Sequence, residues 1–169
     1  SSMALAETNI NACIASKPET LDPNLESSVD GATYAMHMFE NLMKYNQTED
    51  NAALDDSDNV KLLVPDYGQA ESYDVSDDGL VYTFHLRESK WSDGEPVKAG
   101  DYEYSWKRLA DPATGSAYQF IVGILKNGNA VIAGEKPVDE LGVKAIDDST
   151  LEVTLENPTS YFLSMLGSQ

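Results

Sequence analysis

At 169 residues, with 41% apolar and 24% charged side chains, the chain is long enough for one ordinary domain with a core, and its composition excludes wholesale disorder. It carries 29 acidic against 11 basic residues, a net charge of −18; a field of that sign repels phosphate backbones and argues against nucleic-acid binding and anionic membrane surfaces. Excess acid of this kind is read as solubility rather than as an acidic site, and no apolar run approaches the ~20 residues that cross a bilayer.

The start, Ser1-Ser2-Met3-Ala4-Leu5-Ala6, looks trimmed, and residues 1–8 are assigned to no folded element. Residues 10–16 read as a first strand. It contains Cys13, the single cysteine, which has no internal disulfide partner. No apolar signal segment precedes it, so burial is the better reading than lipid attachment. Lys17-Pro18 to Asp22-Pro23 breaks the strand into a loop. Ser27 or Ser28 can cap the next helix by accepting from a first-turn amide, and Asp30 suits its positive dipole end. The stripe Tyr34, Met38, Leu42 carries that helix to about Tyr45.

Residues 46–59, NQTEDNAALDDSDN, are polar with no apolar period and read as an exposed loop. A calcium loop counted from Asp55 or Asp56 lacks glycine at its sixth position. Asn46-Gln47-Thr48 is a formal glycosylation triplet that matters only in a eukaryotic secretory host. Leu62, Leu63 and Val64 form a brief buried element before Pro65. Ala70–Val75 then pairs with the strand 80–87 across Ser76-Asp77-Asp78-Gly79, since Asp-Gly is a strong hairpin signal. Leu80, Tyr82, Phe84 and Leu86 alternate with Val81, Thr83, His85 and Arg87, as in a strand with one buried face.

After Trp91, the turn Ser92-Asp93-Gly94-Glu95-Pro96 leads into a helix from about residue 99. Tyr102, Trp106 and Leu109 stripe it, and Asp111-Pro112 ends it. Lys98 stands at the cap position and cannot accept an amide, so capping passes to Asp101 or water. Ser116–Leu125 reads as a helix or buried loop, followed by a helical turn over 130–134. Val143 and Ala145 begin a strand, Asp147-Asp148-Ser149 turns it, and 150–156 returns with Leu151, Val153 and Leu155 inward. Asn157-Pro158 ends that strand; Tyr161, Phe162, Met165 and Leu166 start a final helix. The pattern is α+β, hairpins packed with helices.

No constellation of catalytic type is present: no G-x-S-x-G, no H-E-x-x-H, no phosphate-cradling loop, no Cys–His pair. His37 and His85 have no second His or Cys at ligand spacing. The expectation is a protein that is not an enzyme and holds no metal or cofactor.

Four words sit at fixed spacing: YTFHLR (82–87), KWSDGEPV (90–97), DYEYSWKR (101–108) and DPATGSAY (111–118). With IASKPETLDP (14–23), MFENLMKY (38–45), AESYDVSDDG (70–79) and the run from Gly134 to Leu166, they resemble the extracytoplasmic solute-binding proteins of peptide ABC importers. The resemblance implies a two-lobed fold like the type II periplasmic binding proteins, with 9–169 as part of the N-terminal lobe. It implies an oligopeptide ligand held extended through main-chain hydrogen bonds, permease subunits as partners, and a monomer. The implied location is the periplasm, or a lipid anchor on the outer face of the cell membrane.

Counted from Pro23 to Phe39, the family's main-chain contacts fall on Ser27, Ser28 and Val29, and its cleft tyrosine falls on Tyr118. The competing roles are helix capping for the serines and core packing for Tyr118. Trp91, Trp106 and Asp93-Gly94 are assigned to holding the lobe together. Where the family has a Thr or Ser cap, this chain has Lys98. Family members are longer, so the piece is expected to fold but to bind peptide weakly without the opposite lobe and hinge. The alternatives are a stand-alone module docking to a protein partner, or a relative that binds a metal chelate or a sugar.

Overall fold

A computed structural model describes residues 17–47 and 63–167. The strand expected at 10–16 with Cys13, Leu62, and the 48–59 part of the acidic loop lie outside the described residues.

The helix α1 (Val29–Met38) is capped by Ser28, whose Oγ accepts the Gly31 amide at 3.0 Å. It ends at Phe39, where the backbone turns extended, seven residues or so short of the stripe's apparent reach. Residues 43–47 instead form β1 (Met43–Gln47), antiparallel to β2 (Leu63–Tyr67), with Tyr45 opposite Pro65. Leu42 and Met43 are both buried, and adjacent buried residues at an extended junction mimicked the continuation of a helical stripe. Proline is tolerated in β2 because, among the described residues, this ribbon has two strands and β2 is at an edge.

A second sheet carries the core. Its strands are β3 (Ala70–Val75), β4 (Val81–Leu86), β5 (Val143–Ala145) and β6 (Thr150–Thr154), in the antiparallel order β3-β4-β6-β5. The β3–β4 turn closes as its sequence demands: Gly79 has φ +70°, and Asp78 Oδ1 accepts the Leu80 amide at 3.1 Å. Phe84 faces Tyr73 on one side and Leu151 on the other. Tyr82, Phe84 and Leu86 are buried together with Leu151, Val153 and Val143, the single apolar face expected of period-two strands. On the opposite face His85 meets Asp74 at 3.0 Å in the open.

The helix α2 (Ala99–Ala110) packs on β5 and β6. Ala99 and Ala110 are fully buried, with Tyr102, Trp106 and Leu109 against the core. No side chain caps a first-turn amide: Asp101 Oδ2 accepts the amide of Lys98 itself at 2.9 Å, and the Ala99 amide goes to the Asp148 carbonyl at 2.9 Å. Lys98 Nζ pairs with Asp148 at 2.7 Å, tying the helix start to the β5–β6 turn. Lower on α2, Lys107 donates to Glu103 at 2.7 Å and Asp139 at 3.1 Å, while Glu103 accepts the Ala145 amide at 2.7 Å.

Segment 116–125 proves to be a 3₁₀ turn over Gln119–Ile124, followed by α3 (Gly128–Ile132). The two lie so close that a Cβ on Gly128 would sit 2.2 Å from the Val122 carbonyl oxygen. The last helix, α4 (Phe162–Gly167), places the Phe162 ring 4.9 Å from Tyr82 and 6.4 Å from Phe84.

Candidate functional site

A groove of about 900 Å³ runs between the loop leading into α1, α1 itself and α2, and is lined also by Trp91, Tyr118 and Ile121. The loop that leads into α1 is held by a long-range ion pair. Asp22 takes both Arg108 guanidinium nitrogens, Nη1 at 2.7 Å to Oδ1 and Nη2 to Oδ2. Such a paired fork is strong and directional. The Arg108 hydrogen bond is the main reason that the Asp22 carboxyl lies below its ordinary range. Asp22 Oδ1 also accepts the Asn24 amide at 3.1 Å, and buried Asn24 donates to the Ser105 carbonyl at 3.3 Å. The loop is thereby pinned to α2 at two points.

Ser27 and Ser28 line the groove. Both amides donate to Glu26 Oε1, at 2.9 and 2.6 Å. The side chain and amide of Ser28 are the leading causes that hold the Glu26 carboxyl below its usual range. Ser28 also caps α1, whereas Ser27 precedes the helix and makes no cap. Val29 is 86% exposed and is not among the groove residues. Tyr118 lines the groove, 43% exposed, with its ring 6.0 Å from Phe120; an exposure of that size is not that of a core aromatic. The groove therefore gathers Ser27, Ser28 and Tyr118, and leaves Val29 outside.

The groove also takes in Glu40, Gln69, Tyr102, Trp91 and Trp106, none of them expected as ligand contacts. Glu40 accepts from Arg87 Nη2 and from buried Gln69 Nε2 at 2.7 Å. Arg87 also donates to the Gly68 carbonyl at 3.1 Å, and Ser89 donates to Gln69 Oε1 at 2.7 Å. This network holds Arg87 by its Nε and Nη2. Burial beside it pushes the Tyr102 phenol well above its ordinary value. Both tryptophans line the groove: Trp106 also packs on the core, while Trp91 is 41% exposed and donates to Asp101 at 3.2 Å. Arg87, Tyr102, Trp91 and Trp106 fall inside the four fixed-spacing words, with Tyr102 and Trp106 also on the stripe of α2; Glu40 lies in MFENLMKY, and Gln69 and Ser89 in no such word.

Chemically, the groove is an aromatic and aliphatic trough interspersed with polar and charged side chains such as Glu26, Glu40, Lys90 and Asp101, a composition suited to binding. Among the described residues no group of three His, Cys, Asp or Glu side chains is placed to hold a metal ion. Among the same residues no helix is long and apolar enough to cross a membrane.

Residues 65–169 match the family described as bacterial extracellular solute-binding proteins, family 5 Middle. The periplasmic oligopeptide-binding protein OppA of Salmonella typhimurium is 42% identical over 154 residues, which are 89% of this chain and 26% of the relative. The dipeptide-binding protein DppE of Bacillus subtilis is 46% identical over 105 residues, 62% of this chain and 19% of the relative. The structure of Listeria monocytogenes OppA bound to peptide superposes with a TM-score of 0.74 at 39% identity, over 87% of this chain and 26% of that one. The chain spans about a quarter of the length of the OppA relatives it matches.

Proposed function

The chain belongs to the bacterial extracellular solute-binding proteins of family 5, and on that premise we propose that the whole protein captures oligopeptides outside the cytoplasmic membrane for an ABC importer. It binds and releases its ligand without chemistry and delivers it to permease subunits, working as a monomer in the periplasm or on a lipid anchor. Ser27 and Ser28 contribute main-chain contacts and Tyr118 lines the same groove, whereas Val29 is the first residue of α1 and stands outside it. Residues 9–169 form part of the N-terminal lobe.

The observation that carries this reading is the groove, which brings Ser27, Ser28 and Tyr118 together across about 900 Å³ in a chain that superposes on a peptide-bound relative. A trough with an oriented main-chain edge and roomy aromatic walls suits a ligand read through its backbone. The test is native mass spectrometry of the whole protein purified without denaturation, followed by calorimetry with short peptides. Co-purified peptides and micromolar or tighter binding are expected; a ligand-free protein that gives no binding heat with any peptide overturns the proposal.

A further inference from the structure

The loop before α1 places a carboxylate on the very donors that the peptide reading assigns to ligand. Glu26 Oε1 accepts both the Ser27 and the Ser28 amides. Its other oxygen, Oε2, is shut away from solvent and has no hydrogen-bond partner. An oxygen of a carboxylate that is neither hydrated nor paired is unfavourable. Charge-assisted bonds from the two amides, with the Ser28 hydroxyl acting on the same carboxylate, thus hold the contact, and one orphaned oxygen opposes it.

The slot that admits the carboxylate depends on residue 31 being glycine. A Cβ there would lie 1.8 Å from Glu26 Cδ and 2.1 Å from Oε2. Helix capping does not account for the arrangement, because Ser28 Oγ already takes the Gly31 amide and the Ser28 carbonyl already accepts from Ala32 at 2.9 Å. The Ser27 amide lies before the helix altogether. Glu26 lines the groove, and a swing into the groove would return Oε2 to water.

We infer that Glu26 is an internal stand-in for ligand, its carboxylate occupying the Ser27 and Ser28 main-chain donors until a ligand carbonyl replaces it. The inference rests on the peptide reading above. Its consequence is quantitative: apparent affinity is lowered by the fraction of molecules in which the amides are occupied.

The test uses the whole protein with tri-alanine as probe, in calorimetry and stopped-flow binding. Glu26→Gln, which trades a charged acceptor for a weaker neutral one, should bind about tenfold tighter, and Glu26→Ala at least as tightly. The gain should appear as faster association with unchanged dissociation, which loss of a merely structural contact would not produce. Gly31→Ala provides a second route: its methyl expels the carboxylate from the slot, alanine favours the helix, and the same gain is expected. Wild-type binding with equal or weaker affinity in the folded variants overturns this inference alone. If neither wild type nor variants bind any peptide, the peptide reading fails and this inference falls with it.

Discussion

Replacing Phe84 by alanine tests the account of the core at its centre. Phe84 is fully buried on the middle strand β4, with its ring 5.9 Å from Tyr73, 6.3 Å from Tyr82 and 6.4 Å from Phe162. Those three rings come from β3, β4 and α4, so they cannot all collapse into the space left behind. Phe→Ala in such a site costs about 4 kcal/mol, transfer and cavity together. At about 2.1 cal/mol/K per residue, the unfolding entropy of 169 residues is about 0.35 kcal/mol/K, so Tm should fall by about 11 °C. Circular dichroism melts and urea titrations on the 169-residue chain provide the measurement. The urea slope should stay constant, because the exposed surface is nearly the same. The neighbouring Thr83→Ala, on the sheet's other face, should change stability by no more than about 0.5 kcal/mol. If the Phe84 variant loses less than about 1 kcal/mol, or Thr83→Ala loses as much, the assignment of the inward face is wrong.

Gly128→Ala drives a methyl against the Val122 carbonyl, 2.2 Å away, and should cost about 3 kcal/mol in urea unfolding; a loss under about 1 kcal/mol would mean that the 3₁₀ turn shifts freely. Lys107→Ala strips the half-buried Glu103 of its cation and should cost about 1–2 kcal/mol in the same assay. Burial raises the Glu103 pKa, but the bonds from Lys107 and the Ala145 amide outweigh it and leave the carboxyl below its ordinary value. Its stabilising contribution is therefore whole above the unfolded value of ~4.3 and is lost as pH falls through the lower folded value. Urea midpoints should drop over that acid range in the wild type and drop less in Lys107→Ala. In the whole protein, Tyr118→Ala should weaken peptide binding by about tenfold with little change in Tm, since the side chain is half exposed; an unchanged Kd removes Tyr118 from the site. The 169-residue chain by itself should bind short peptides more weakly than micromolar in calorimetry.

Where interactions are local, the fold could be read from the residues. Alternation in Tyr82, Phe84 and Leu86 marks β4 and its inward face, Asp78-Gly79 marks the hairpin, and Lys98 marks a helix start without a side-chain cap. The end of α1 was not legible, because Leu42 extends the spacing of Tyr34 and Met38 although it is buried from extended chain. What decides its conformation is the pairing of 43–47 with 63–67, which no local period records. The same limit applies to the groove. Ser27, Ser28 and Tyr118 came from resemblance, whereas the clamp from Asp22 to Arg108 bridges residues 86 positions apart. Glu26 is adjacent to the expected contacts, yet its role depends on a rotamer and on the missing Cβ of Gly31.

The two tryptophans of the chain both stand on the groove. Its ultraviolet emission is accordingly a report from one place, free of background from indoles elsewhere in these 169 residues. Trp91, on the rim, senses the polarity of whatever arrives, and Trp106, beneath, senses whether the floor repacks. A ligand that settles in the trough must alter that light, without any dye or label. A ligand whose binding leaves the spectrum untouched is bound somewhere else.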